Sequence, residues 1–137
     1  MIFRFILMIL LALFTLKPAF SDVTFEGANN EIVILTGDIK AEEFDGILTE
    51  IKAKKPTQMI LDSEGGNGHS ARRLAKYIND NNISTYISGV AKCRSACAII
   101  FLAGKKRLCE GVLGIHQASL PKDIGNEEVN MNYALKY

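Results

Sequence analysis

Histidine and cysteine are scarce in this chain of 137 residues, with two of the first and three of the second. Neither supplies a second pair at zinc-ligand spacing, so no metal centre is expected. An excess of charge is also missing: 16 Lys and Arg stand against 15 Asp and Glu, a formal net charge of +1. That balance gives no reason to expect nucleic acid as a partner. The small clusters Lys52/Lys54/Lys55 and Lys105/Lys106/Arg107 flank predicted helix ends, where cations complement the helix dipole. Repeats, low-complexity tracts and linkers do not interrupt the chain, and its length suits one modest core rather than two domains. The apolar run from Phe5 to Leu16 falls short of a bilayer.

What is present begins with that run. Met1 to Ser21 carries Arg4, the apolar stretch, then Lys17, Pro18 and an Ala19-x-Ser21 cleavage pattern, the anatomy of a secretory signal peptide. An uncleaved anchor is the competing reading; either way, membrane contact is expected through this segment alone. The expected organisation is a signal peptide over 1–21 and an α/β domain over 22–137, periplasmic or secreted. Without Arg4 and Lys17 the balance becomes 14 basic to 15 acidic residues, or −1. In an oxidising compartment two of Cys93, Cys97 and Cys109 are expected to pair and one to remain. The sequence leaves the pair open, and Cys97 reads equally as a small buried residue.

Glu31 to Thr36 is a β-branched run closed by Gly37-Asp38, read as a strand buried in a sheet. Phe44, Ile47, Leu48 and Ile51 fall at i, i+3, i+4 and i+7, which predicts a helix from Ala41 to about Ala53, stopped by Pro56. Gln58 to Asp62 is a second strand leading into the Gly-rich turn Ser63-Glu64-Gly65-Gly66-Asn67-Gly68. Ala71, Leu74, Ala75 and Ile78 place a helix from near Ser70 to Asp80, and Ile83 to Ser88 is a third strand. Next, Ala96 to Ala103 is small or apolar almost throughout, so a helix buried on all sides is expected, ended by Gly104. Strand and helix in alternation imply a mostly parallel sheet with right-handed crossovers. Leu108–Cys109 and Val112–His116 are short extended pieces, and the tail from Asn126 to Tyr137 reads as the opening turns of a helix.

The chemistry gathers at Cys93-Arg94-Ser95-Ala96-Cys97. Ser95 stands at a helix start, where unpaired N–H groups and the positive end of the helix dipole favour an oxyanion. As a plain alternative, Ser95 is a helix N-cap. Nine residues from Ser95 to Ala103 advance about 13 Å as helix, and five or six extended residues, at about 3.3 Å each, bring the chain back by a similar distance. His116 is therefore expected beside Ser95. Ends of successive elements are where α/β sheets collect ligand and catalytic groups. Acyl transfer needs a nucleophile, a base within reach and unobstructed N–H donors; Ser95, His116 and the N–H groups of Gly66 and Ala96 are the candidates.

These residues resemble a known family. From about Ile32 to Gln117 the chain looks like the proteolytic subunit of Clp protease and its extracytoplasmic relatives in the ClpP/crotonase fold. Leu35-Thr36-Gly37-Asp38-Ile39 resembles the family's first strand and turn, and Asp62-Ser63-Glu64-Gly65-Gly66 its Asn-Ser-Pro-Gly-Gly loop. Ser95-Ala96 resembles its nucleophile, Ala103-Gly104 through Arg107 its helix exit, and Ile115-His116-Gln117 its histidine motif. The resemblance implies Ser95 as nucleophile, His116 as general base and Gly66 with Ala96 as oxyanion hole, in a Ser-His-Asp arrangement acting on a peptide or ester without a cofactor. Two departures stand out. Glu64 replaces the loop proline, and the family's acid lies well beyond its histidine, on a segment longer than the one following His116 here. The domain is thus expected to lack the C-terminal part of the pattern, and Asp123 is an acid candidate that the pattern does not support. Rings are the family's assembly, which keeps a homo-oligomer open; no ATPase partner is expected outside the cytoplasm.

Other readings compete. A catalytically inactive extracytoplasmic binding module would keep the fold without the acid. A Ser-Lys dyad would draw on Lys92 or Lys105, and an acyl-CoA enzyme of the same fold would not need Ser95 with His116. Gly66-x-Gly68-x-x-Ala71 fits a dinucleotide fingerprint only formally, because the acidic residue about 20 positions on is missing. His69 reads as a solvent-facing turn residue. Glu64 lies near the proposed cleft as an influence on substrate charge or as a solvated carboxylate.

Overall fold

The computed structural model describes residues 22–116. The signal-peptide segment, Gln117, Asp123 and the tail from Asn126 lie outside the described residues. The order of elements is β1 (Asp22–Glu26), β2 (Ile32–Thr36), α1 (Ala41–Lys54), β3 (Gln58–Asp62), α2 (Gly68–Asp80), β4 (Ser84–Ile87), β5 (Lys92–Arg94), α3 (Ala96–Leu102), β6 (Arg107–Cys109) and β7 (Val112–Gly114).

Five strands form one sheet in the order β1-β2-β3-β4-β6, and β5 pairs with β7 in a second. Among the described residues only β1 runs antiparallel; the pairs β2/β3, β3/β4, β4/β6 and β5/β7 are parallel. Because β2, β3, β4 and β6 succeed one another in space as in sequence, right-handed crossovers put the intervening helices on one face. The buried positions follow from this. Val33, Leu35, Met59, Leu61 and Ile87 turn inward against Phe44, Leu48, Ile51, Leu74, Ile78 and Ile100. Ile34, Ile60 and Tyr86, which alternate with them, are only half-buried. One face of the sheet is therefore covered by the helices, and the other is only partly shielded.

Local chemistry explains the helix boundaries. Asn67 caps α2 by accepting from the Ser70 N–H at 2.8 Å, so the helix begins at Gly68, two residues before the start expected at Ser70. Helix α1 ends with Lys55 in the left-handed region, its N–H on the Ile51 carbonyl, and Pro56 follows. Arg73 joins α2 to α1 through Asp45 at 2.6 Å and lies 5.6 Å from the Phe44 ring centre. The expectation that the third helix is buried on all sides is corrected: α3 leaves Ile99 36% and Leu102 51% exposed. Its core-facing stripe is Ala96, Cys97, Ala98, Ile100 and Phe101. At its far end Arg107 donates to the carbonyls of Leu102 and Gly104, a cation on a helix C-terminus as its position implied.

Candidate active site

Strand β5 is three residues long, yet it ties three segments together. On one side Ser63 donates its N–H to the Lys92 carbonyl at 2.7 Å and accepts from the Arg94 N–H at 3.0 Å. On the other, β5 pairs with β7 in a register that sets Arg94 against Gly114. Ser95, the next residue, donates its N–H to the Gly114 carbonyl at 2.9 Å. The end of β3, the β5–α3 junction and the returning β7 are thereby adjacent. The returning strand thus meets Ser95 at Gly114, and His116 is exposed two residues further on.

Ser95 is not an ordinary helix cap. Its backbone sits at φ 54 and ψ −120, and its side chain makes no capping hydrogen bond. A non-glycine residue in that region stores about 1–3 kcal/mol of strain and persists only where its surroundings hold it. The junction turns sharply there and leaves Ser95 half-buried at the mouth of the turn. Since α3 has only seven residues, individual N–H groups, more than a summed helix dipole, are what this site offers an anion.

Those N–H groups can be accounted for one by one. In the loop after β3, the Gly65 N–H goes to the buried Ser63 Oγ at 3.0 Å. The Asn67 N–H goes to the Ile39 carbonyl at 2.7 Å. The Gly66 N–H reaches no acceptor among the described residues, nor does the Ala96 N–H at the start of α3. Gly66 is bridged to Ile39 as a parallel pair, and in such a pair the flanking residues make the bonds. The Glu64, Gly68 and Cys97 N–H groups likewise reach no acceptor among the described residues, so Gly66 and Ala96 are two of several open donors around the junction.

Gly65 brings this loop against the junction. A Cβ placed on it would lie 2.7 Å from the Arg94 carbonyl oxygen, 2.8 Å from the Ser95 Cβ and 3.0 Å from the Ala96 nitrogen, and its φ is +109. No side chain fits there, which accounts for glycine at this point of the loop. The close contact between loop and junction thus falls on Gly65, while its neighbour Gly66 carries an unspent N–H.

Cys93 and Cys97 are joined by a disulfide, and Cys109 remains as an exposed thiol. The pair stands two residues before and two after Ser95. Sequence reasoning did not single out this bracket, although the spacing Cys-x-Ser-x-Cys carries it. Glu64 is more than a solvated carboxylate: it pairs with Arg94 at 3.0 Å and with Lys92 at 3.9 Å. All three side chains are about half exposed, so these pairs orient the loop more than they stabilise the domain. Lys92 is engaged there, and Lys105 follows the far end of α3, about 10 Å along the helix from Ser95. Neither is placed as a dyad partner. His69 is exposed in the first turn of α2, as expected. A groove of about 360 Å³ lined by Gln58, Ser84, Tyr86, Lys106 and Leu108 does not include Ser95.

The fold is that of the ClpP/crotonase-like α/β proteins: a mostly parallel sheet with the Gly65-Gly66 loop and the Ser95 junction at adjoining strand ends. Solved structures of that class match it. A ClpP1 variant (N165D) from Listeria monocytogenes superposes with a TM-score of 0.60 at 18% identity, covering 77% of this chain and 64% of that one. ClpP1 from the same organism gives 0.53 at 13% identity, covering 75% and 65%. A K138A mutant of the 1510-N membrane-bound stomatin-specific protease, in complex with a substrate peptide, gives 0.52 at 20%, covering 76% and 54%. The chain spans less than two thirds of the length of each of these. No protein-family profile matches it, and neither does any curated protein.

Proposed function

We propose that this protein is a serine hydrolase of the ClpP type that cleaves peptide or ester bonds by acyl transfer to Ser95. The observation that carries the reading is the strained Ser95 turn with unspent N–H groups around it, because strain and unused donors coincide at a residue with a nucleophilic side chain. In this scheme the Ser95 Oγ attacks the substrate carbonyl carbon while His116 takes its proton. The N–H groups of Gly66 and Ala96 hold the oxyanion. His116 then protonates the leaving amine or alcohol, and water releases the acyl group by the same route. The peptide-bound 1510-N protease and ClpP1, which share the fold, favour a peptide as substrate. The Cys93–Cys97 disulfide supports an oxidising compartment, and with it export by the leader.

Fluorophosphonate labelling with mass-spectrometric mapping tests the proposal. Labelling at Ser95 is expected, abolished by Ser95→Ala and lowered by orders of magnitude in His116→Ala, with both variants folded. Folded wild-type protein that takes no label at Ser95 would refute it and leave the binding-module reading.

A further inference from the structure

The conformation of Ser95 needs something to hold it, and its noncovalent supports are few. They are the N–H bond to Gly114, the bond from the Ala98 N–H to its own carbonyl at 3.0 Å, and the contact with Gly65. The covalent support is stronger. Cys93 and Cys97 are fully buried, and their disulfide fixes the two Cα atoms 5.1 Å apart across a separation of four residues. Four extended residues would span about 13 Å. The cross-link therefore forbids the chain from straightening through Ser95, which lies at the midpoint of the closed ring. A ring this short removes little entropy from the unfolded chain compared with a long one, so it is a poor staple for the domain. Its effect is local.

We propose that Cys93 and Cys97 are positioning residues whose disulfide holds Ser95 in its turned backbone conformation and aligns the Ala96 N–H beside it. The link to reactivity rests on the hydrolase reading above. A small dithiol opens the bond in two exchanges. One of its thiolates attacks a protein sulfur and forms a mixed disulfide, and its second thiol then displaces the other protein thiol. Two electrons and two protons pass to the protein as two thiols, and the reagent leaves as a cyclic disulfide. The turn then relaxes toward unstrained backbone, and Ser95 loses its alignment while the sheet and α2 persist.

The test uses the protein carrying Cys109→Ser, so that no third thiol can exchange. Oxidised and dithiol-reduced samples are compared by amide hydrogen exchange and by fluorophosphonate labelling. On reduction, exchange is expected to rise at least tenfold in the segment around 94–98 and to stay unchanged in β2, β3 and α2. Labelling at Ser95 should slow at least tenfold, and reoxidation should restore both. The Cys93→Ala/Cys97→Ala double variant should reproduce the reduced behaviour without reagent. Unchanged exchange in that segment after complete reduction would overturn the proposal. So would loss of protection across every element, which would make the disulfide a staple of the whole fold. If the oxidised protein takes no label, the hydrolase reading falls, while the exchange data still decide whether the disulfide holds Ser95.

Discussion

Replacing Gly65 by alanine probes the junction most sharply, because the structure fixes what one added methyl group meets. Two of its three nearest atoms, the Arg94 carbonyl oxygen and the Ala96 nitrogen, belong to the backbone, and the third is the Ser95 Cβ. None can swing aside as the end of a long side chain would. The φ of +109 adds backbone strain for any L-residue, about 1–3 kcal/mol, and overpacking adds about 1–3 kcal/mol more. The sum, on the order of 2–6 kcal/mol, is a large share of the roughly 5–15 kcal/mol that holds a domain of ordinary stability. Some of it will be relieved by pushing the loop away from the junction, which separates the Gly66 and Ala96 donors. Loss of one oxyanion donor costs about 10²–10³ in rate. Gly65→Ala is therefore expected to lower the denaturant midpoint clearly and to slow fluorophosphonate labelling about a hundredfold or more. Gly46→Ala is the control: nothing lies within 4 Å of a Cβ there, and an exposed position inside α1 should gain about 0.5–1 kcal/mol. Equal midpoints and equal labelling in wild type and Gly65→Ala would refute the account of the junction.

Ser95→Gly should abolish labelling yet raise stability by about 1 kcal/mol, since relief of strain exceeds the added freedom of the unfolded chain; a lower denaturant midpoint than wild type would contradict the strain. Thr85→Val removes the bond from the buried Thr85 Oγ1 to the Phe101 carbonyl at 2.8 Å. That carbonyl also accepts from the Gly104 N–H, so the loss should be only about 0.5–1.5 kcal/mol by chemical denaturation. The Tyr86 phenol donates to Glu110 at 2.5 Å, and this bond, with burial and the carboxylate charge, pushes its pKa above the ordinary tyrosine value. A raised folded-state value means that its contribution is fully present below the ordinary value and lost as pH rises through the raised one. Ultraviolet titration should show one tyrosine ionising earlier in Glu110→Gln than in wild type.

The sheet and its helices were largely legible because their signals are local. Phe44, Leu48 and Ile51 mark α1 by spacing, and Leu74 and Ile78 mark α2. The Gly65-Gly66 turn stood out because glycine pairs after a strand demand a reason. β1 was missed although Val23 and Phe25 alternate with polar residues; these inward positions pack on the core opposite Leu35 and Val33. β5 had no comparable signal. Three residues acquire strand geometry only from pairing with Val112–Gly114 and bridging Ser63, partners 20 and 30 positions away. The disulfide was undetermined for a related reason: three cysteines allow three pairings, and only the turn at Ser95 makes the shortest of them close.

Among the described residues, four that are not glycine have positive φ: Asn30, Lys55, Asn82 and Ser95. Asparagine tolerates that region, and Lys55 terminates a helix with ψ 55, well inside the left-handed well. Ser95, at ψ −120, has neither excuse. Glycine would make the same turn with less strain, so the backbone supplies no reason for serine there. The side chain does. A hydroxyl on a half-buried residue in a strained turn, with a buried cross-link two residues to either side, is costly as a structural element and useful as a nucleophile. That asymmetry favours an enzyme over a binding module more strongly than the presence of Ser95 and His116 as letters in the sequence.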